Sequence, residues 1–252
     1  MRFHNALATS AALLLLAGSA GADDAKVQRK IEERLAKSGL DSSADIKVTV
    51  KDGHARLDGA VIGYEASYRA ERAARKEAAD VDNRLAVGAE PRSDAELRQD
   101  VERAILGYPY YGVFDSVELG VKDGVVALRG SVVQPWRKDE IEARVASVPG
   151  IQAMDSDIRV QGVSFNDERL RRQLYRNIYG SENFVQYSNW AHPPIRIVVE
   201  DGKVTLTGTV RSQVEQVMLT HIARSTLAFG VDNKVQVEGA RPKEDQKPDT
   251  QS

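Results

Sequence analysis

The sequence predicts an α+β protein of three tandem α-β-β-α-β modules, each a three-stranded mixed sheet covered by two helices. Three observations predict it. A charged-Asp-Gly signature occurs three times, at Lys51-Asp52-Gly53, Lys122-Asp123-Gly124 and Glu200-Asp201-Gly202. In every copy a leucine, a second glycine and a valine follow at fixed distances: Leu57, Gly59, Val61; Leu128, Gly130, Val132; Leu206, Gly208, Val210. The turn glycines lie 71 and then 78 residues apart, and such self-similarity marks a repeated structural unit.

The elements follow in order. Val27, Ile31 and Leu35, then Leu97, Val101 and Ile105, then Leu170, Leu174 and Ile178 recur every four residues, which puts them on one face of a helix. Asp94 and Asp167 stand near the expected helix starts, where a carboxylate favours the N-terminus. Alternation then takes over: Ile46, Val48, Val50; Val117, Leu119, Val121; Ile195, Ile197, Val199, the pattern of a strand buried on one side. Asp-Gly suits a two-residue hairpin turn, whose central residues both need positive φ. That requirement accounts for Asp52, Asp123 and Asp201 without any catalytic role. The return strands carry Ala55 and Leu57, Val126 and Leu128, Val204 and Leu206, and the glycines Gly59, Gly130 and Gly208 mark a bulge or a close backbone approach. Residues 64–79, 135–147 and 212–226 read as second helices, with Pro135 placed for a first helical turn. A short strand closes each copy at Leu85 and Val87, Ile158 and Val160, and Val235 and Val237, and Val-Asp-Asn precedes it at 81–83 and again at 231–233. A helical crossover makes that last strand parallel to the second.

Residues 1–22 have the layout of a secretory signal peptide: Arg2, an apolar stretch around Ala11 to Ala17, and Ala20-Gly21-Ala22 before Asp23. The stretch is short for a membrane span. The expected division is therefore a cleavable leader at 1–22, modules at 23–88, 94–161 and 167–238, and a polar, disordered tail at 239–252. Residues 88–93 read as a linker, and 161–166 resemble it but carry Val163 and Phe165, apolar residues suited to docking. With 35 basic and 37 acidic residues the charge is nearly balanced, so no nucleic-acid partner is implied. Cysteine is absent, so neither disulfides nor an N-terminal lipidated cysteine can form. The expected location is the periplasm.

The hairpin pattern from Asp123-Gly124 through Gly130 and Val132, with its flanking helix and closing strand, resembles the BON domain of bacterial envelope proteins. Tyr110-Tyr111-Gly112-Val113-Phe114-Asp115 and Pro193-Pro194-Ile195 make the second and third copies similar to a multi-BON subgroup. The resemblance implies a periplasmic protein tied to osmotic stress, with a phospholipid or an unfolded envelope protein as partner, and no catalytic motif.

The residues agree with a non-enzyme. His54 lies in the first copy and His192 and His221 in the third, on a hairpin, a loop and a helix and without metal-ligand spacing, and neither a nucleophile elbow nor a phosphate loop occurs. No cofactor and no metal is expected. Aromatic residues instead crowd the segment between first helix and first strand in the second and third copies: Tyr108, Tyr110, Tyr111 and Phe114, then Tyr179, Phe184, Tyr187 and Trp190. Such side chains suit a docking surface for lipid headgroups or apolar peptide; the alternative is that the loops fold back and fill space between copies. Trp136-Arg137-Lys138 places an aromatic beside basic residues, as at an anionic membrane surface, although Asp139 and Glu140 follow. Arg171, Arg172 and Arg176 form a further basic stripe. The candidate partner surface is thus Tyr108, Tyr110, Tyr111, Phe114, Trp136, Arg137, Lys138, Tyr187 and Trp190. The sequence leaves open the choice between lipid and protein, and the oligomeric state.

Overall fold

The computed structural model describes residues 11–40 and 45–239, with side chains from Asp23 onward. All but Gly239 of the expected tail at 239–252, and the first ten residues of the expected leader, lie outside the described residues. Helix α1 spans Ala11–Lys37 and runs on through Ala22 and Asp23, where the leader is expected to end. No helix among the described residues is long and apolar enough to cross a membrane.

The first copy continues with β1 (Asp45–Lys51), β2 (His54–Ile62), α2 (Tyr64–Ala74) and β3 (Asp80–Gly88). The second comprises α3 (Asp94–Leu106), β4 (Ser116–Lys122), β5 (Val125–Val132), α4 (Pro135–Ala146) and β6 (Ala153–Val160). The third comprises α5 (Phe165–Tyr179), the short α6 (Val185–Ser188), β7 (Ile195–Glu200), β8 (Lys203–Val210), α7 (Gln213–Arg224), β9 (Gly230–Asn233) and β10 (Gln236–Val237). The sheets have the orders β1-β2-β3, β4-β5-β6 and β7-β8 followed by β9 and β10, the last two being one third strand interrupted. β1 and β2 pair antiparallel, β2 and β3 parallel, and β8 pairs parallel with β9 and β10. By compactness the chain divides into two units. The first takes the chain up to Ala104 with Gly120–Ala127 and Glu142–Asp155; the second takes Ile105–Leu119, Leu128–Ile141 and the chain from Ser156 on.

The hairpin turns have the backbone that Asp-Gly favours. Asp52, Asp123 and Asp201 have φ of 52, 51 and 51°, and Gly53, Gly124 and Gly202 follow with φ of 77, 75 and 74°. The second glycines are required by close approach: a Cβ on Gly59, Gly130 or Gly208 would stand 1.7, 2.0 and 1.8 Å from the carbonyl oxygens of Asp45, Ser116 and Pro194. At the interruption of the third strand, Asn233 folds its Oδ1 back to accept from the Val235 N–H (3.1 Å), and Lys234 N–H donates to Leu206 O (2.8 Å). Asn83 makes the same turn-back to Leu85 N–H at 3.2 Å, and its amide donates to Ser67 on α2. The repeated Val-Asp-Asn is therefore a strand-to-helix tie. Helix α2 ends earlier than residue 79, because the chain leaves the helix at Arg75 and returns to the hairpin, where Ala79 N–H meets Gly53 O.

One contact recurs in all three copies. Asp24 accepts hydrogen bonds from the N–H groups of Asp52 and Gly53 (2.8 and 2.9 Å), Asp94 from those of Asp123 and Gly124 (3.0 and 3.1 Å), and Asp167 from those of Asp201 and Gly202 (3.1 and 2.8 Å). Each carboxylate stands three residues before the first member of the four-residue apolar pattern, Val27, Leu97 or Leu170. The first helix is thereby fastened to the tip of the hairpin it covers. Serines start two of these helices. Ser164 Oγ accepts from Asp167 N–H, and Ser93 exchanges hydrogen bonds with Glu96 in a reciprocal capping box. Behind the clamps, Ile31, Leu35, Val48, Leu57, Ala70 and Leu85 form the core of the first copy, and Leu174, Ile178, Ile197, Leu206, Leu219 and Ala223 that of the third.

Asp167 is 2% exposed and accepts from two N–H groups of a partly exposed turn, so its removal loses two charge-assisted hydrogen bonds. Asp167→Ala is expected to lower stability by about 1.5–3 kcal/mol in urea unfolding, and Asp167→Asn, which keeps one acceptor, by less. Equal stability of Asp167→Ala and the parent protein contradicts the clamp.

Candidate functional site

The aromatic loops divide into rings that hold the second unit together and rings that face solvent. Tyr111 is buried. Its hydroxyl accepts from Val117 N–H (3.0 Å), and the guanidinium of Arg196 lies over its ring at 4.6 Å. Burial raises the Tyr111 phenol above its ordinary range, against the pull of Arg196. Arg196 is itself 8% exposed and donates to Gly112 O at 3.0 Å. One residue on, Ile197 N–H donates to Val113 O at 2.7 Å, so the loop of the second copy runs along β7 of the third. Phe114 is partly buried against Tyr175, with ring centroids 6.1 Å apart. Its carbonyl accepts from Gln161, which in turn accepts from buried Arg171 (3.1 Å), whose Nη2 donates to Val199 O (2.6 Å). Arg171 thus belongs to this junction and not to an exposed basic stripe.

Tyr187 is buried too. Its hydroxyl donates to Glu215 (2.8 Å) and accepts from Arg211 N–H (3.2 Å), and burial together with the Glu215 carboxylate raises its phenol. Tyr108, Tyr111 and Tyr187 therefore do not present a partner surface, as the sequence suggested they would. Tyr111 packs against Arg196 of the third copy, and Tyr108 and Tyr187 fill space within their own copies.

Two groups remain open. Tyr110 is 62% and Trp136 48% exposed, and their rings meet edge to face with centroids 5.5 Å apart. Tyr108 lies beneath both, at 5.8 and 6.5 Å. The guanidinium of Arg137 stands 5.3 Å from the Trp136 ring and donates to Asp115 at 2.6 Å. Asp115 is buried and holds the turn before α4 by accepting from Gly112 and Val133 N–H groups (2.9 and 3.0 Å). Arg137 Nε is buried and makes no hydrogen bond among the described residues. Lys138 is partly buried on the next position of the helix. In the third copy Trp190 is 43% exposed beside Tyr187, with Arg211 6.0 Å from its ring. The third copy replaces the Asp115–Arg137 pair with Tyr187 and Glu215, which do the same work for Arg211 N–H. Both exposed tryptophans thus have a guanidinium against the ring, that of Arg137 being ion-paired to Asp115.

Val163 and Phe165, expected as docking residues, are both exposed. Among the described residues no group of three or more acidic, histidine or cysteine side chains could hold a metal ion.

A family model for the BON domain matches the chain three times, at residues 23–89, 93–162 and 166–239. The chain belongs to the BON domain family. BON domains are known as non-catalytic binding domains, typical of periplasmic proteins and linked to phospholipid binding and envelope function. No curated protein matches the sequence. Among solved structures, the C-terminal domain of CdsD, the structural protein of the type III secretion system of Chlamydia trachomatis, is 12% identical. That match covers 83% of this chain and 96% of that chain, with a TM-score of 0.26. A second structure of CdsD is 13% identical and covers 83% of this chain and 90% of that chain, with a TM-score of 0.23.

The sequence missed Arg196 and Asp115 as junction residues. Nothing in strand alternation separates a buried arginine from an exposed one. The clamp carboxylates were legible at Asp94 and Asp167, but only as helix-start residues. Arg196→Ala removes both the carbonyl contact and the ring contact from the loop of the second copy. Amide exchange at Ile197 is expected to speed by about tenfold or more, consistent with a loss of about 1–3 kcal/mol from a charged hydrogen bond and a stacked ring. Unchanged exchange there contradicts the junction.

Proposed function

We propose that this BON protein is an exported, non-enzymatic binding protein of the periplasm that meets anionic phospholipid at the envelope membrane and supports envelope integrity under osmotic stress. The observation that carries this reading is the exposed Tyr110–Trp136 pair with the Arg137 guanidinium against the Trp136 ring. Aromatic rings with one apolar and one polar side favour the membrane interface. Adjacent cations add attraction to an anionic surface, and that attraction falls with salt. Family membership supports the same choice. Export rests on the leader-like residues 1–22.

A reading as chaperone for unfolded envelope proteins draws on the same aromatic loops. It is the weaker of the two, because Tyr108, Tyr111 and Tyr187 are committed to packing inside the second unit.

Co-sedimentation with vesicles of phosphatidylglycerol and phosphatidylcholine tests the reading. The protein is expected to sediment with vesicles at low salt and to be released at high salt. The double variant Tyr110→Ser, Trp136→Ser is expected to partition about tenfold more weakly, the loss of about 1.4 kcal/mol of half-buried aromatic surface. Absence of wild-type binding at low salt overturns it.

A further inference from the structure

The hairpin end of the third copy differs from the same end of the other two in a way that the shared fold does not require. The clamp and strand contacts give the equivalent positions. Phe165 stands two residues before clamp Asp167, as Arg92 does before clamp Asp94. Phe229 N–H donates to Gly202 O and Gln152 N–H to Gly124 O, so Phe229 corresponds to Gln152, and Leu227 to Gly150. In the second copy these positions form a closed polar contact. Arg92 lies over Gly150, where a Cβ would meet its side chain at 2.7 Å, and its guanidinium bonds Asp100 and Pro149 O (2.8 and 3.3 Å). Gln152 donates to Ala89 O at 3.1 Å. In the first copy the corresponding positions are Ala22, Glu77 and Ala79, none of them a large apolar residue, and Glu77 is bound by Arg34 and Lys30. In the third copy the three positions become Phe165, Leu227 and Phe229, which are 77, 87 and 87% exposed.

Leu227 and Phe229 wall a cavity of about 620 Å³ whose other lining includes Asp167, Leu170, Gln173 and Gly202. The Asp167 carboxylate is already spent on the turn N–H groups.

We propose that Phe165, Leu227 and Phe229 form a second membrane contact that inserts into the interface of an anionic bilayer. This rests on the phospholipid reading and adds a site to it. Two observations select a bilayer as the occupant. The first is charge. Phe165, Arg169, Arg172 and Arg176 share one stripe of α5 by spacing, and the three arginines are exposed. An apolar tip followed by long cationic side chains lets the rings enter the acyl boundary while the guanidinium groups stay at the phosphates. The exposed ion pair of Arg172 with Glu168, 3.5 Å long, is weak enough to exchange for phosphate. The second is continuity. Gln161 N–H bonds Val132 O, four residues before Trp136, and Phe165 follows Gln161 by four residues. At about 3.5 Å per residue, Trp136 and Phe165 each lie within about 14 Å of that link. Val160 and Val163 are exposed along it.

A second copy of the chain is a poorer occupant. Three such side chains offer on the order of 400 Å², against about 800 Å² per partner in a stable complex.

The experiment uses the full chain with vesicles of phosphatidylglycerol and phosphatidylcholine. Phe165→Ser, Leu227→Ser and Phe229→Ser together are expected to weaken partition by about tenfold or more. The chain has no cysteine, so Phe229→Cys takes a single environment-sensitive fluorophore. Its emission is expected to shift to the blue on vesicles, while the same label at Thr49→Cys in the first copy stays unchanged. If the wild type binds vesicles and both the triple variant and the label report no difference, this site is overturned and the phospholipid reading stands. If the wild type does not bind at all, both fall. A wild-type dimer that the triple variant abolishes, with vesicle binding intact, assigns the patch to a second copy and overturns the proposal. A label shift with an unfolded polypeptide but not with vesicles overturns it equally.

Discussion

A carboxylate holding both N–H groups of an Asp-Gly turn is the contact on which each copy depends. A turn with two residues at positive φ points its N–H groups outward, and without an acceptor they are left to water. Asp24, Asp94 and Asp167 supply that acceptor from the covering helix, the last two from its first turn. In this position a negative charge also favours the helix N-terminus, so one side chain stabilises helix start, turn and their packing together in α3 and α5. Small modules have little core to spare, and a fixed helix-to-hairpin angle lets the apolar stripe of the helix meet the alternating strand residues without search.

Once that angle is fixed three times over, the copies are free to differ at their ends. The second and third spend their aromatic loops differently on the same task. The N–H that follows the second strand must be capped in both. Asp115 does so with Arg137 as its counter-charge, whereas Tyr187 does so with Glu215. The consequence reaches the surface. Beside the exposed tryptophan of the second copy stands a guanidinium tied to a buried acid, and beside that of the third stands Arg211. At the hairpin end the exchange runs the other way, from an arginine and a glutamine in the second copy to two phenylalanines in the third. The apolar and cationic features that fit a membrane therefore come from substitutions on a constant frame.

Much of that frame was legible in the sequence, because it rests on local rules. Asp-Gly predicted the turn, alternation predicted β1, β4 and β7, and four-residue spacing predicted the buried faces of α1, α3 and α5. The second glycines could be assigned to a close approach, and the parallel third strand followed from the crossover. What was not legible depends on partners far apart in the chain. An aromatic residue in a loop looks alike whether an arginine 85 positions away covers it, as Arg196 covers Tyr111, or nothing does, as for Tyr110. Tyr187 and Tyr110 occupy comparable loops and have opposite fates. The hairpin-end triad was invisible for the same reason: Leu227 and Phe229 read as ordinary apolar residues until their equivalents, Gly150 and Gln152, were seen to be covered.

The most direct test of the account is hydrogen–deuterium exchange of the full chain with and without phosphatidylglycerol vesicles. Protection is expected at 108–112, 134–138, 163–169 and 226–230, the segments that carry the two exposed aromatic groups, with exchange across β1 and β2 unchanged. Protection confined to the first copy, or no protection anywhere under conditions where the protein sediments with vesicles, contradicts it.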